Sequence, residues 1–532
     1  MVKRFVVFGI VLAFCVAFLA GCGSSSTKPT SGPAPLVITV GDVPLCNLVS
    51  FRSIVNGLTL TPQGGGGAVE VISANQTVPL DFAALSGTSN VLDITSIQPG
   101  TYTQGTITLI SSSMSVFDPS VNPPISVITP ALSSEAVTFN ISPPLVVPDC
   151  PLNSANPCSA GALNIDFDLA QSIPLSAQGQ ITTSGTSGSL SATVTPVLIG
   201  TALTAAATQG FGEMDDVHGY ILSVNNTPTT SGTSSFVGSF LIQTLPGTET
   251  TGALTGAGPS LTVNLTSTNA LIGATALNQL TTGNFVEING YVDAYGNFVA
   301  NSVLIEDQEN IQQQFSTFIG PILSVTKDAN GSATQFTISV TDEEPNTEFI
   351  AATGNPVQLD LPPLIVNISS STGYHFSAPG VNYANLTPDS TYFSVGQRVI
   401  VHGTYVPPPT VTPPATAAPT TLAAANIYIP LQTVSGNYAS LLAAGSDNLT
   451  GGFLFTPCSE FFKGQRIYVI TNGAALPNPT QFVNVNGLAG LTPAPQLLVR
   501  GLLFFDQAGG VLGGIQIPPN SYVIMANGVH QL

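Results

Sequence analysis

Few residues in this chain can carry chemistry, and they lie far apart. There are four histidines, His218, His375, His402 and His530. Only one has carboxylates crowded against it, because Glu213, Asp215 and Asp216 closely precede His218. An imidazole among carboxylates can hold a divalent ion or work as an acid–base pair, although a solvated inter-domain linker entering Gly219 is the plainer reading. A second acidic run, Asp342-Glu-Glu-Pro-Asn-Thr-Glu348, offers the oxygen ligands that Ca2+ prefers. It lacks the alternating Asp-x-Asp-x-Asp-Gly loop, so an acidic hairpin accounts for it better, and the same holds for Glu306-Asp307-Gln-Glu309 in a linker. Asp166 and Asp168 alternate with apolar residues and read either as a carboxylate pair or as the outward polar residues of a sheet.

Nucleophile elbows of the Gly-x-Ser-x-Gly type, His-Glu-x-x-His helices, phosphate-cradling loops and dinucleotide fingerprints are all absent from the sequence. With nine Lys and Arg and four His in 532 residues, few groups are available as acid, base or oxyanion donor. There is no Trp, and the 12 Tyr are dispersed, which weakens a carbohydrate-stacking platform. No catalytic residue, metal or cofactor is expected. Charged residues make up 7% of the chain against 52 Gly and 42 Pro, without sustained 3.6-residue periodicity, and this argues for an all-β chain of several domains.

The N-terminus is a segment of a different kind. Lys3-Arg4 precede an apolar stretch from Phe5 to Phe18, too short to span a membrane as a helix, and Leu19-Ala20-Gly21-Cys22 close it. This resembles the bacterial lipoprotein signal, with Leu19, Ala20 and Gly21 as the lipobox. The resemblance implies that Cys22 becomes lipid-modified and N-terminal, with several acyl chains giving a durable anchor. Gly23 rather than Asp follows the cysteine, which implies the outer membrane. The mature chain then has seven basic residues against 28 acidic ones, a charge near −21 that excludes nucleic acid as a partner. Its basic residues look scattered, without a basic patch. Cys15 leaves with the signal and Cys22 carries lipid, so Cys46, Cys150, Cys158 and Cys458 remain for an oxidising compartment. Four cysteines allow three pairings. Cys150 and Cys158 enclose a loop-like segment and are the first pair to expect; Cys46 with Cys458 is then the leftover pair, although nothing in the sequence places them near each other.

Behind a flexible tether at 22–35, a β-rich region begins at Leu36-Val-Ile-Thr-Val40. Its landmarks are Asp42-Val-Pro44, Leu80-Asp-Phe82, the turn Pro99-Gly100-Thr-Tyr102, and the strand Ile165-Asp-Phe167-Asp. In this order they resemble a family of bacterial secreted domains of unknown function, and the resemblance implies a β-sandwich over 36–205.

The remainder repeats itself. Gly219-Tyr-Ile-Leu-Ser-Val224 returns as Gly320-Pro-Ile-Leu-Ser-Val325 and, degenerate, as Gly436-Asn-Tyr-Ala-Ser-Leu441. A later strand ends in a polar residue and glycine three times, at Asn289-Gly290, His402-Gly403 and Arg500-Gly501. The unlike polar residues point to an exposed slot. Ordered anchors in three copies predict tandem modules at 213–306, 315–432 and 434–532, the second with a Pro-rich insertion from Pro407 to Pro419 that forms an extended loop. The pattern Val395-Gly-Gln-Arg-Val-Ile-Val-His-Gly403 resembles a second bacterial family of unknown function, which implies small OB-like β-barrels.

The expected protein is all-β: signal peptide 1–21, tether, N-terminal β-sandwich and three tandem OB-like barrels. Its expected role is non-enzymatic, binding or structural, lipid-anchored at the cell envelope with an envelope protein or polysaccharide as partner. The alternatives are an envelope hydrolase with a site between modules, marked by a deep polar pocket where the sparse ionisable groups converge, and a calcium-dependent adhesin.

Overall fold

In the computed structural model the described residues lie within 31–531, and the longest stretches left out are 1–30, 308–315, 344–362 and 407–420. The signal segment, Cys22, most of the tether, Glu309, residues 344–348 of the acidic run and the Pro-rich insertion therefore lie outside the described residues. Among the described residues no helix is long and apolar enough to cross a membrane.

The N-terminal unit is a β-sandwich. One layer comprises β1 (Ala34–Val43), β5 (Asn90–Ile97), β9 (Gly161–Asp168) and β11 (Leu198–Ala202), in the order β5-β1-β9-β11 with β1 and β9 parallel. The other is built on two long strands, β2 (Leu48–Pro62) and β6 (Gly100–Phe117). Short β3 (Val69–Ile72) and β4 (Val78–Asp81) pair with β2, while β7 (Ile125–Leu132), β8 (Ala136–Val147) and β10 (Ser189–Val194) extend from β6. A single bridge, Gly200 to Ile141, joins the layers. Alternate residues of β1 and β9 point into the sandwich, so Leu36, Ile38, Leu163, Ile165 and Phe167 are fully buried against Phe51, Leu58 and Leu109 of the facing layer.

The sequence landmarks acquire physical roles here. The Tyr102 ring is buried and its hydroxyl donates to the Gln98 carbonyl at 2.8 Å, pinning the Pro99-Gly100 turn. Phe82 packs its ring 4.8 Å from that of Phe167, and Asp81 Oδ1 accepts from the backbone N–H of Phe51 and of Ala83. Asp168, which sequence alternation would leave on a sheet face, is buried and caps the single-turn helix Leu169–Ser172 by accepting from Gln171 N at 2.9 Å.

Three five-stranded barrels follow, each with the ladder 1-2-3-5-4-1 and a parallel contact between its third and fifth strands. The first is formed by β12 (Glu213–Asn225), β13 (Gly238–Thr244), β14 (Ser260–Leu265), β15 (Phe285–Val292) and β16 (Phe298–Asp307). The second takes β17 (Ser316–Lys327), β18 (Ala333–Ile338), β19 (Leu364–Asn367), β20 (Arg398–Val406) and the first part of β21 (Thr421–Ala444). The third opens on the rest of β21 and continues through β22 (Gly451–Pro457), β23 (Ile467–Thr471), β24 (Gln496–Asp506) and β25 (Ser521–Gln531). Closure of a five-stranded Greek-key barrel in this order is the OB arrangement.

The repeated glycines are explained by closeness of approach. A Cβ at Gly219, Gly320 or Gly436 in the opening strand would run into the carbonyl oxygen of Gln243, Ser339 or Thr456 in the neighbouring second strand. At Gly290, Gly403 and Gly501 it would meet Val299, Ala423 or Met525 of the closing strand, and the ladder slips register at each of these three places. The extra residue, Asn301, Ala425 or Asn527, lies on the closing strand, so each polar-Gly pair faces a β-bulge that bends the fifth strand around its barrel.

Neighbouring units share cores. Val37, Val91 and Ala162, on the outer face of the first sandwich layer, pack with Met214, Phe240 and Ile288 of the first barrel, so the parallel pair β1 and β9 is buried on both faces. Ile470, Leu502 and Val523 of the third barrel join Phe318, Phe336 and Val401 of the second. The expected junction at 432–434 falls inside the unbroken 24-residue strand β21.

Candidate functional site

The structure pairs all four cysteines left among the described residues. Cys150 and Cys158 bridge a local loop with Cα atoms 5.5 Å apart. Cys46 and Cys458, separated by 412 residues, are bonded with Cα atoms 5.4 Å apart. The second bond joins the loop between β1 and β2 of the sandwich to the loop after β22 of the third barrel. Beside it the Phe117 and Phe461 rings lie 4.3 Å apart, again sandwich against third barrel.

This disulfide forms part of the wall of a cavity of about 200 Å3 to which all four units contribute. The sandwich supplies the Cys46 loop and the short 3-10 turn carrying Ala83 and Ala84; the barrels supply their fourth strands. From β15 come Glu287 and Asn289, from β20 Arg398, and from β24 Arg500, with Thr433 and Ser435 of β21 alongside. Glu287 and Arg500 are buried, and Asn289 Nδ2 donates to Glu287 Oε1 at 3.1 Å. Arg398 is held through its backbone, whose N–H donates to Gln432 Oε1 at 2.9 Å, while Gln432 Nε2 donates to the Gly396 carbonyl at 2.7 Å. The adjoining Gln397 is fully buried and donates to the Leu503 carbonyl at 3.2 Å, locking the turn before β20 onto the third barrel.

Behind Ala83 lies Asp81, whose carboxyl is pushed up from its ordinary value by burial. The Arg52 guanidinium, the N–H of Phe51, the Ser50 hydroxyl and, more weakly, Arg398 pull it back down. Three of the cationic residues that look scattered along the chain, Arg52, Arg398 and Arg500, are therefore gathered here. The chain has five arginines, Arg4, which lies outside the described residues, and Arg52, Arg398, Arg466 and Arg500. Two of them line the cavity and a third acts on the carboxylate behind its wall.

Several sequence expectations change in this light. Asn289 and Arg500, taken as an exposed slot, do face away from their own barrels, but that direction is into the molecule: Arg500 is 9% exposed and both residues line the cavity. His402, the counterpart in the second barrel, is half-buried and does not line it. The segment Glu213 to His218 is no linker. It is the start of β12, paired with β15, and slips register between Met214 and Val217; the side chains of Glu213, Asp215, Asp216 and His218 lie outside the described ones. Asp342 and Glu343 form a two-residue strand on β17. Among the described residues no three His, Cys, Asp or Glu gather to hold a metal. Asp166 and Asp168 are electrostatic neighbours, and the Asp166 carboxyl is pushed up to about 6, by burial first and by Asp168 second.

Glu287 and Arg398 were not singled out in the sequence as site residues. The available signal was faint: both share a strand with a polar-Gly pair in a chain poor in charge.

Compared with known proteins, the chain matches no family model, no curated protein and no solved structure. The family resemblances of the sequence accordingly rest on their quoted motifs, and the site on its own geometry.

Proposed function

We propose that this is a lipid-anchored cell-envelope protein, resident in the outer membrane, with a non-enzymatic binding role seated at the junction of its four units. The observation that carries the reading is the convergence of Arg398, Arg500, Glu287 and Asn289 on one cavity, from equivalent strands of three repeated barrels. Pairing of four cysteines into two disulfides supports an oxidising compartment, in keeping with the lipoprotein-like N-terminus.

A pocket where sparse ionisable groups meet between modules is also what an envelope hydrolase would need, so that second reading has a specific observation behind it. The chemistry lining the cavity favours binding. Among the described residues Glu287 is the one carboxylate in the wall and no histidine lines it, so no described imidazole stands by the Ser and Thr hydroxyls there. Hydrolysis of a glycosidic bond takes two carboxyl groups flanking the scissile bond.

Two measurements test the proposal. Mass spectrometry of the mature N-terminus and membrane fractionation should find acylated Cys22 in the outer-membrane fraction; an unmodified, soluble chain overturns the anchor. A hydrolase screen on envelope and extracellular polymers should show no turnover, and turnover lost in Glu287→Gln overturns the non-enzymatic role.

A further inference from the structure

We propose that the end of the sandwich where the tether enters is the face this protein turns to the phospholipid bilayer, with the junction cavity held on the side away from the lipid. The proposal rests on the lipid-anchored reading above and adds an orientation to it.

The tether expected at 22–35 is folded over its last residues. Ser31 and Gly32 pair antiparallel with Pro151 and Cys150, and β1 follows at once, with Ala34 beside Ile97 and Leu36 beside Gly161. The receiving segment is itself closed by the Cys150–Cys158 bond, which braces the place where the pull of the anchor arrives. Ser31 lies nine residues after Cys22, and at ~3.3–3.6 Å per extended residue this leash reaches about 30 Å at most. A globular chain of this length has a radius of gyration of roughly 24 Å and a breadth of about 60 Å. The leash is about half the breadth of the body, so the side opposite Ser31 cannot be brought down to the lipid.

Several turns share the entry end. The Gln63 N–H donates to the Thr101 carbonyl, Gly100 and Thr101 stand beside Val147 and Val146, and the Ala160 N–H donates to the Ala294 carbonyl in the turn between β15 and β16. The segments 31–36, 62–67, 96–102, 145–151, 157–161 and 293–297 contain no basic residue and two acidic ones, Asp149 and Asp293. Asp293 is buried and accepts from Tyr295 N, Asn297 N and Asn297 Nδ2 within its own turn. Asp149 is the one exposed carboxylate these segments bring to the headgroups, and half-exposed Tyr295 supplies an amphipathic ring that suits a membrane interface.

The opposite end carries the cavity wall. From Ala34 to Val43, β1 covers about 30 Å and delivers the Cys46 loop to the third barrel. At that end β2 starts from Leu48, and it returns to Pro62 beside Tyr102. The leash that keeps the entry end low therefore holds the Cys46–Cys458 bond, and the cavity beside it, off the bilayer.

The test is energy transfer from the full acylated chain in phosphatidylethanolamine and phosphatidylglycerol vesicles. A fluorescent amino acid is encoded at Gln63 or at Lys463, and the acceptor is carried on lipid headgroups. Both side chains are exposed, and Lys463 follows the Phe461 ring that packs on Phe117 at the cavity end. Transfer should be stronger from position 63 than from position 463, and Cys22→Ser should abolish it from both. Equal transfer, or stronger transfer from position 463, in a chain that mass spectrometry shows to be acylated overturns the orientation alone. An unmodified Cys22 overturns the anchor and takes the orientation with it, so the two failures are told apart.

Discussion

Two carboxyl groups in the sandwich, raised in the same direction as Asp81, contribute to how stability depends on pH. Asp93, on β5, and Asp166, on β9, are both pushed up from 3.8 to about 6, chiefly by burial. Between those values the folded chain holds protons that the unfolded chain has released, so stability falls as pH rises through this window. Each group contributes a loss of roughly 1–3 kcal/mol once pH exceeds about 6. Asp118 is lowered by hydrogen bonds from Ser120, and that contribution is lost only as pH falls below the ordinary carboxylate range. Urea denaturation should therefore give a higher midpoint at pH 5 than at pH 7.5, and Asp93→Asn should reduce the difference. A midpoint rising steadily from pH 5 to 7.5 contradicts this assignment.

At the scale of the strand, the glycine of each polar-Gly pair is required by its neighbour's backbone. Gly290→Ala, Gly403→Ala or Gly501→Ala should each destabilise by about 1–3 kcal/mol, the usual cost of overpacking, measured as a fall in the denaturation midpoint with the far-ultraviolet spectrum of a β protein retained. This steric demand is also why the repeats were legible: the barrel order imposes the same close approach three times, and only glycine meets it. Strand alternation revealed which residues face a barrel's own core. It carries no information on what lies outside the barrel, and for that reason Asn289 and Arg500 read as exposed although Arg500 is 9% exposed and both line the cavity. The Cys46–Cys458 pair was legible only as what is left once Cys150 and Cys158 are joined, since docking of the first unit on the last depends on surfaces 412 residues apart in the chain. Tyr102 and Phe82 were visible as motif members, but their parts in pinning a turn and filling the sandwich came only with packing.

For the molecule as a whole, the tandem order in sequence does not produce a string of beads. The sandwich shares a core with the first barrel, the second with the third, and the disulfide ties the sandwich to the third. Replacing the pair, Cys46→Ser with Cys458→Ser, should lower stability by about 2–5 kcal/mol and enlarge the radius of gyration in small-angle scattering, while the barrels keep their β signature. An unchanged radius and midpoint would show that the noncovalent contacts hold the ring shut alone. The cavity, being built from all four units, should lose its shape in the same variant.

The nesting of the two disulfides bears on how the chain matures. Of the four cysteines that are paired, a polypeptide made from its N-terminus exposes Cys46 first, then Cys150, Cys158 and, after nearly the whole sequence, Cys458. An oxidant acting on cysteines in order of appearance would join Cys46 to Cys150 and Cys158 to Cys458, a pattern this fold does not contain. The native pattern needs either a Cys46 thiol kept waiting until the last barrel is in place or thiol–disulfide exchange that corrects an early mispairing. Synthesis of this protein is in that respect an assay of isomerase capacity, with the bond around the cavity wall the last to be written.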